Sequence, residues 1–222
     1  MKLNTTIKSK IENYLTRFID QKPHILFSDD SIENFKRNDK INKNFIFFLS
    51  RVNDVRFINK FFEKVNSKLQ KGDFFVCNIE TFAARRKRKK ISRIPIISHL
   101  YFFIEFIFMR VFPKVYPFKI IYFQITKGKN RILSKAEVLG RLISCGFQII
   151  DFKSIDGKLH IISKKIGKPY FDDAPSYGPV YKMPRLGKNN KIIKVYKFRT
   201  MYPYSEYLQD YIYTKHGTET GG

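Results

Sequence analysis

The chain has 222 residues, enough for one domain or two, and its hydrophobic content of 43% and aromatic content of 16% exclude a wholly disordered protein. The formal net charge of +24 predicts a polyanionic partner, such as anionic lipid headgroups, phosphorylated substrates or nucleic acid. Two cysteines, Cys77 and Cys145, are too few for a disulfide framework, and their apolar neighbours predict buried thiols in a reducing compartment.

The first third of the chain mixes helical and strand patterns. Residues 1–20 have apolar side chains at helical spacing and lack the continuous apolar stretch of a signal peptide, so a cytoplasmic start is expected. Strands are predicted at His24–Phe27, Phe45–Leu49 and Phe74–Ile79. An amphipathic helix is predicted over residues 54–69, between the second and third strands.

A run of six cations precedes a long apolar segment. The cations are Arg85, Arg86, Lys87, Arg88, Lys89 and Lys90. The apolar segment, Ile94–Phe112, has nineteen residues, mostly Ile, Leu, Phe and Tyr, and approaches the length of a membrane span. His99, Glu105 and Arg110 interrupt it, and at roughly 100° per residue they do not form one clean polar face of a helix.

Three structures are compatible with residues 94–112. In the first, the segment is a helix buried in a soluble domain, beside a solvated basic loop. In the second, the helix lies in the membrane interface or re-enters it, and residues 85–90 contact anionic headgroups. In the third, the helix spans the membrane. The protein is accordingly expected in the cytoplasm or at the cytoplasmic face of a bacterial inner membrane. Nucleic acid is not expected as a partner, because the basic sequence contains no zinc-knuckle, helix-turn-helix or RNP-type motif.

The middle of the chain completes an α/β pattern. A helix is predicted over Ala136–Cys145, with Gly146 at its end, followed by strands at Phe147–Ile150 and Lys158–Ser163 that pair across the turn at 156–157. Strands that alternate with helices predict an α/β domain over residues 1–168.

Within residues 40–165, the sequence patterns of Lys68–Val76 and of Ala136–Phe147 resemble the second half of a class I methyltransferase fold. No glycine precedes Gly72, so the chain cannot form a glycine-rich loop for a dinucleotide or S-adenosylmethionine before that position. The resemblance therefore implies a degenerate Rossmann-like or methyltransferase-like scaffold that binds no such cofactor.

The last quarter of the chain predicts a linker and a basic hairpin. Residues 169–179 are rich in proline and are expected to separate two domains. Strands are predicted at Val180–Leu186 and Lys191–Thr200, joined by a turn. Lys197 and Arg199 then point to the same side, about 7 Å apart, where they could bind a diphosphate. The alternative is a solvated basic face.

This region contains three motifs of one family. Gly178-Pro179-Val180-Tyr181, Arg185-Leu186-Gly187-Lys188-Asn189 and Lys197-Phe198-Arg199-Thr200-Met201 resemble the opening of the bacterial sugar transferase domain. Those enzymes are polyprenyl-phosphate sugar-1-phosphate transferases, which start lipid-linked glycan and exopolysaccharide assembly. The resemblance covers about residues 175–215. It implies a nucleotide-diphosphate sugar and polyprenyl phosphate as substrates, Mg²⁺ as the cofactor of a complete domain, and Lys197, Arg199 and Arg185 as phosphate-binding residues.

The chain departs from that family in one respect that concerns catalysis. The family's Asp-Glu-Leu-Pro motif, which supplies the nucleophile and a metal ligand, does not occur here, so no catalytic residue or metal ligand is assigned. Residues 180–222 are expected to be an incomplete transferase domain, a hairpin and a short helix that do not turn over substrate alone. Residues 170–222 are expected to pack poorly or to extend from the main body. Asp172-Asp173-Ala174-Pro175 precedes the hairpin and is interpreted as an acidic turn.

The alternative function is a non-catalytic basic module that docks on a membrane surface or on a partner protein. An active site in the first domain is not expected, because the histidines are isolated from one another and from nucleophiles. They are His24, His99, His160 and His216.

Overall fold

The computed structural model describes residues 5–19, 24–26, 44–170 and 180–216. Seven α-helices and seven strands form in this part of the chain. The helices are α1 Thr5–Leu15, α2 Ile58–Lys68, α3 Phe82–Arg88, α4 Pro95–Phe106, α5 Phe118–Thr126, α6 Lys135–Ser144 and α7 Gln209–His216. The strands are β1 His24–Leu26, β2 Phe45–Arg51, β3 Phe74–Ile79, β4 Phe147–Ile155, β5 Lys158–Lys165, β6 Val180–Leu186 and β7 Ile192–Phe198.

Strands β1 to β5 form one mixed sheet in the order β1-β2-β3-β5-β4. The first three strands are parallel, and α2 is the crossover between β2 and β3. Strand β5 runs antiparallel to β3 and to β4, because the two-residue turn at Asp156-Gly157 folds β4 and β5 into a hairpin. Both turn residues have positive φ, 49° and 70°, as such a turn requires.

The sheet is covered on both faces. Alternate residues of β2 and β3 contribute to two separate hydrophobic clusters, as the period of a strand dictates. On one face Phe48 and Phe75 pack with α2 and α6, and on the other Phe47 and Val76 pack with α1. The predicted α/β class is therefore confirmed, as a three-layer arrangement around a mixed sheet.

Two helices form where the sequence analysis predicted none. Helix α3 contains the first four residues of the basic run, which the buried-helix alternative treated as a loop, because Thr81 caps it through a hydrogen bond from the Ala84 N–H to the Thr81 hydroxyl, 3.3 Å. Helix α5 follows the cis Tyr116–Pro117 peptide and packs back on the end of the preceding helix. The ring pairs Phe112–Phe118, at 4.8 Å, and Phe108–Tyr122, at 5.6 Å, join the two segments.

The basic hairpin forms with its predicted strands and turn. Strand β6 pairs with β7 from Val180 opposite Phe198 to Leu186 opposite Ile192. The turn uses Asn189 and Asn190 at positive φ, which asparagine tolerates better than most residues. Along β7, every side chain except that of Val195 is exposed, so the hairpin contributes little to the core.

The segment after the hairpin does not behave as predicted. Residues 170–222 were expected to pack poorly, and for Tyr204 and Leu208 this is wrong, since both are buried and Leu208 belongs to the main core cluster. Gly140 of α6 makes the approach possible, because a Cβ there would lie 2.1 Å from the Tyr204 carbonyl oxygen. The predicted linker and the acidic turn at 172–175 lie largely or wholly outside the described residues.

Candidate membrane interface and phosphate-binding hairpin

Helix α4 has its polarity reversed relative to an ordinary amphipathic helix. The polar side chains of Ser98 and Glu105 point into the protein and are 3% and 9% exposed. Most of its large apolar side chains point outward, as shown by Ile96, which is 86% exposed, and Phe103, which is 63% exposed, whereas Phe102 is buried. A helix on the surface of a globular protein in water does the opposite, so the outer face of α4 is built for apolar surroundings.

A π-helical turn at Ile107–Val111 continues α4 and changes which residues share a face. At 3.6 residues per turn, Glu105 and Arg110 would lie about 140° apart. The wider turn brings both inward, so that Arg110 is also buried. The expectation that the segment lacks a common polar face is therefore wrong for Glu105 and Arg110, whereas His99 lies on the exposed side.

Helices α4 and α5 both present exposed apolar side chains, which we together call the α4–α5 surface. Its members are Ile96, Ile97, Leu100, Phe103, Ile104, Phe118, Ile120, Ile121 and Ile125. The helical stretch Pro95–Lys114 is long and apolar enough to cross a membrane by length and composition. Its 18-residue apolar window has a mean hydropathy of 1.5, and 22% of that window is buried in the protein. A group of large exposed apolar side chains of this size is typical of an interaction surface.

Buried ion pairs hold the inner side of α4 against the domain. The Glu105 carboxylate accepts a hydrogen bond from Lys89 Nζ at 2.5 Å and lies 3.4 Å from Arg85 Nη1. Arg85 is 1% exposed and also donates to the backbone and side-chain oxygens of Asn130. Arg85 was predicted to contact a membrane surface, and its burial corrects that assignment, because the side chain reaches no solvent.

A second carboxylate, Glu80, directly follows β3 and forms ion pairs with three arginines. Its oxygens lie 2.9 Å from Arg51, 2.6 Å from Arg88 and 3.4 Å from Arg85. Burial acts to raise the pKa of Glu80, but the hydrogen bond and charge of Arg88 and the charges of Arg85 and Arg51 outweigh it and lower the pKa. Ligands of open α/β sheets bind at this end of the parallel strands, and here the protein's own ion pairs occupy it.

A third carboxylate, Glu137, ties α6 to the end of the apolar helix. Glu137 lies 2.9 Å from Arg110, 3.0 Å from Arg141 and 3.8 Å from Lys114. Burial acts to raise the pKa of Glu137, but the charges of Arg141, Lys114 and Arg110 outweigh it and hold the pKa at about 2. Its position is set by the N-cap of α6, where the Ser134 hydroxyl accepts a hydrogen bond from the Glu137 N–H at 3.1 Å.

The six predicted membrane-facing cations therefore separate into two groups. Arg85, Arg88 and Lys89 are engaged by Glu80 and Glu105, although most of the Arg88 side chain remains exposed. Arg86, Lys87 and Lys90 are exposed and have no carboxylate partner within the described ranges. Arg86 lies over the Phe102 ring at 5.1 Å, which places its charge beside α4.

The hairpin places two of the predicted phosphate-binding residues, Lys197 and Arg185, on the same face. Lys197 lies opposite Tyr181, and Arg185 lies opposite Ile193, so Lys197 and Arg185 share a face of the hairpin about four residues, or roughly 13 Å, apart. Arg199 is half-buried and follows the last residue of β7, one residue beyond the observed strand. Lys197 and Arg199 are therefore close in sequence, whereas Arg185 reaches a different part of the same face.

Aromatic side chains after the hairpin connect it to the helices. Arg110 lies over the Tyr202 ring at 5.4 Å, and Arg141 lies over the Tyr204 ring at 4.2 Å. The Tyr204 hydroxyl accepts a hydrogen bond from Asn59 at 2.7 Å. The two arginines that bind Glu137 thus also hold the segment that follows the Lys197–Met201 motif.

The remaining titratable groups show no catalytic arrangement in the described part of the chain. Burial lowers the pKa of His160 to about 4 and raises that of Cys145 to about 12, and it raises the pKa of Cys77 as well. Both thiols are buried, as predicted. No three His, Cys, Asp or Glu side chains are grouped to bind a metal within the described ranges.

Comparison with known protein families and with curated proteins finds no match to this sequence.

Sequence reasoning missed the three buried carboxylates. Glu105 carried a signal, as an acid within an apolar segment of a strongly basic chain, and Glu137 carried another in its capping-box spacing. Arg141 follows Glu137 at the i,i+4 spacing of a helical ion pair, which a local pattern can predict. The pairs of Glu80 with Arg51, Glu105 with Arg85 and Glu137 with Arg110 join distant parts of the chain, and no local pattern predicts them.

Proposed function

We propose that the protein binds anionic membranes through the α4–α5 surface, which lies in the interface between headgroups and acyl chains. The observation that carries this proposal is the reversed polarity of α4 and the π-helical turn after it, with Glu105 and Arg110 inside and Ile96 and Phe103 outside. Burying a large apolar side chain contributes about 1.5–3 kcal/mol relative to leaving it in water. A membrane interface supplies that environment along the whole length of both helices.

The ion pairs on the inner side of α4 favour a helix lying in the interface over a full span. Glu105 is bound to Lys89 and Arg85, and Arg110 to Glu137, all of which belong to the polar body of the protein. Crossing the bilayer would separate these pairs and leave charges at bilayer depth, at a cost of at least about 2.5 kcal/mol each. An interfacial position keeps every pair intact.

Exposed cations beside α4 supply the charge complementarity. Arg86, Lys87 and Lys90 have no carboxylate partner in the described ranges and can contact anionic headgroups, each contributing about 1 kcal/mol near the surface. Binding should therefore need anionic lipid and weaken as salt screens these charges.

Vesicle co-sedimentation with a triple variant, Ile96→Ser, Leu100→Ser and Phe103→Ser, tests the proposal. We expect binding to vesicles with anionic lipid to fall at least about 100-fold, because three exposed apolar side chains no longer enter the interface. The fold should be unchanged, since none of the three side chains is buried. Circular dichroism and thermal melting check this.

A matched triple variant on the hairpin is the control. Leu186→Ser, Ile192→Ser and Ile193→Ser remove three exposed apolar side chains outside the α4–α5 surface. We expect this variant to bind vesicles as the wild type does. Equal binding by all three proteins, or no binding by the wild type, would refute the membrane proposal.

A second proposal concerns the hairpin, whose motif formed with the predicted strands and turn. We infer that β6 and β7 bind the phosphates of a nucleotide-diphosphate sugar, as in the opening of a polyprenyl-phosphate sugar-1-phosphate transferase domain. Lys197 and Arg199 are two residues apart on the chain and suit a diphosphate, while Arg185 lies far enough along the hairpin face of Lys197 to contact another part of an extended substrate.

Calorimetric titration with uridine diphosphate tests the second proposal. We expect Lys197→Gln to weaken binding about tenfold, as the loss of one charge-assisted hydrogen bond of about 1.5 kcal/mol would do. Lys194→Gln is the matched control, because Lys194 lies on the same strand and on the other face of the hairpin. Equal effects of both substitutions would mean that the hairpin attracts anions only through its net charge.

A further inference from the structure

A cleft beside α5 combines positive charge with an apolar wall. The cleft has a volume of about 480 Å³ and is lined by Arg56, Lys119, Ile120, Phe123 and Gln124. We call it the Arg56 cleft. Ile120 also belongs to the α4–α5 surface, so the apolar wall of the cleft continues onto that surface.

The backbone around Arg56 is fixed by the loop after α5. Arg131 donates hydrogen bonds to the carbonyl oxygens of Val55, at 2.6 Å, and Arg56, at 3.0 Å. Gly128 has φ +80°, and a Cβ at this position would come within 2.8 Å of the Arg56 side chain. Glycine therefore permits the close approach that orients the Arg56 side chain toward the cleft.

The Arg56 guanidinium is held by two aromatic rings. It lies 5.0 Å from the Phe57 ring centroid and 5.3 Å from that of Phe123, in cation–π contact with both. These contacts leave its N–H groups available. Over the described ranges, no carboxylate pairs with Arg56 or Lys119, and no protein acceptor binds the Arg56 guanidinium.

We propose that the Arg56 cleft binds the phosphomonoester headgroup of a membrane lipid, whose chains run over Ile120 and the α4–α5 surface. This inference rests on the membrane function proposed above and adds a specific lipid class to it. A phosphomonoester carries a charge of about −1.5 to −2 at pH 7, which matches one guanidinium and one ammonium. The fork of Arg56 binds two phosphate oxygens, and Lys119 adds a point charge.

Vesicle binding distinguishes this site from general attraction to anionic lipid. The probes are phosphatidylcholine vesicles that contain either phosphatidic acid, a phosphomonoester, or phosphatidylserine, at matched surface potential. We expect the wild type to prefer phosphatidic acid. Arg56→Gln with Lys119→Gln should lower binding to phosphatidic acid about 30-fold, since each cation near the surface contributes about 1 kcal/mol.

The matched control removes one arginine and one lysine elsewhere. Arg17→Gln with Lys71→Gln changes the net charge equally, at exposed residues that do not line the cleft. We expect the binding of this variant to phosphatidic acid vesicles to fall by less than about twofold, because remote charges are screened beyond a Debye length of roughly 10 Å. Equal losses in the two double variants would overturn the proposal.

Arg56→Lys tests geometry at constant charge. We expect it to lose the preference for phosphatidic acid while still binding phosphatidylserine vesicles, because lysine has no planar fork. A wild-type protein that binds both vesicles equally would overturn the cleft proposal and leave the membrane proposal standing. A wild-type protein that binds neither would overturn both.

Calorimetry with soluble ligands separates a lipid from a free phosphate. Dihexanoyl phosphatidic acid below its micelle concentration carries both headgroup and chains, and glycerol 3-phosphate carries the headgroup alone. We expect the short-chain lipid to bind at least about tenfold more tightly, as burial of two methylene groups at about 0.8 kcal/mol each would give. Equal affinities would refute the lipid as occupant.

Discussion

Replacing Glu137 by glutamine should destabilise the protein by about 3 kcal/mol at pH 7. The charges of Arg141, Lys114 and Arg110 bring the pKa of this buried carboxylate from its ordinary 4.5 to about 2. At about 1.4 kcal/mol per pKa unit, the ionised carboxylate then contributes about 3 kcal/mol to folding, in the range measured for breaking buried ion pairs. Glutamine keeps the shape and removes the charge that the three cations require.

Urea unfolding of the wild type and the variant as a function of pH measures this contribution. Because the folded pKa lies below the unfolded one, the contribution is complete above pH 4.5 and is lost as the pH falls toward 2. The difference between the two proteins should shrink over that range. Glu63→Gln, at an exposed position, is the control, with an expected change within about 0.5 kcal/mol. A Glu137→Gln variant as stable as this control, or a difference independent of pH, would contradict the reasoning.

Three further predictions follow from packing. Gly140→Ala should release the segment around Tyr204, because the new Cβ would overlap its carbonyl oxygen, and limited proteolysis should then cut near residue 204 faster than in the wild type. Phe62→Ala should cost about 3–5 kcal/mol in urea unfolding, since the ring is fully buried between Phe61 and Phe75. At pH 8 the two thiols should resist a disulfide reagent until the protein unfolds, because burial raises the pKa of each; rapid labelling of the native protein would contradict this.

The α/β class and the basic hairpin were predictable because their signals are local. Strand β3 is a short apolar run bounded by Gly72, and β6 and β7 flank a turn with two asparagines. Helix α5 was missed because its pattern, Phe118–Thr126, is apolar on nearly every side and follows a proline-containing turn. Its helical form depends on packing against Phe108 and Phe112, which the sequence pattern does not specify.

The sequence by itself determined the composition of the apolar segment, its basic flank and the hairpin motif, since each is a contiguous pattern of residue types. Tertiary structure alone decided which way the segment faces. The π-helical turn at Ile107–Val111 and the distant partners Arg85 and Glu137 turn Glu105 and Arg110 inward. The isoleucines of α4 and Phe103 consequently face outward, while Phe102 stays buried. The Arg56 cleft has the same origin, because its cation and its apolar wall come from parts of the chain about 60 residues apart, which only the fold brings together.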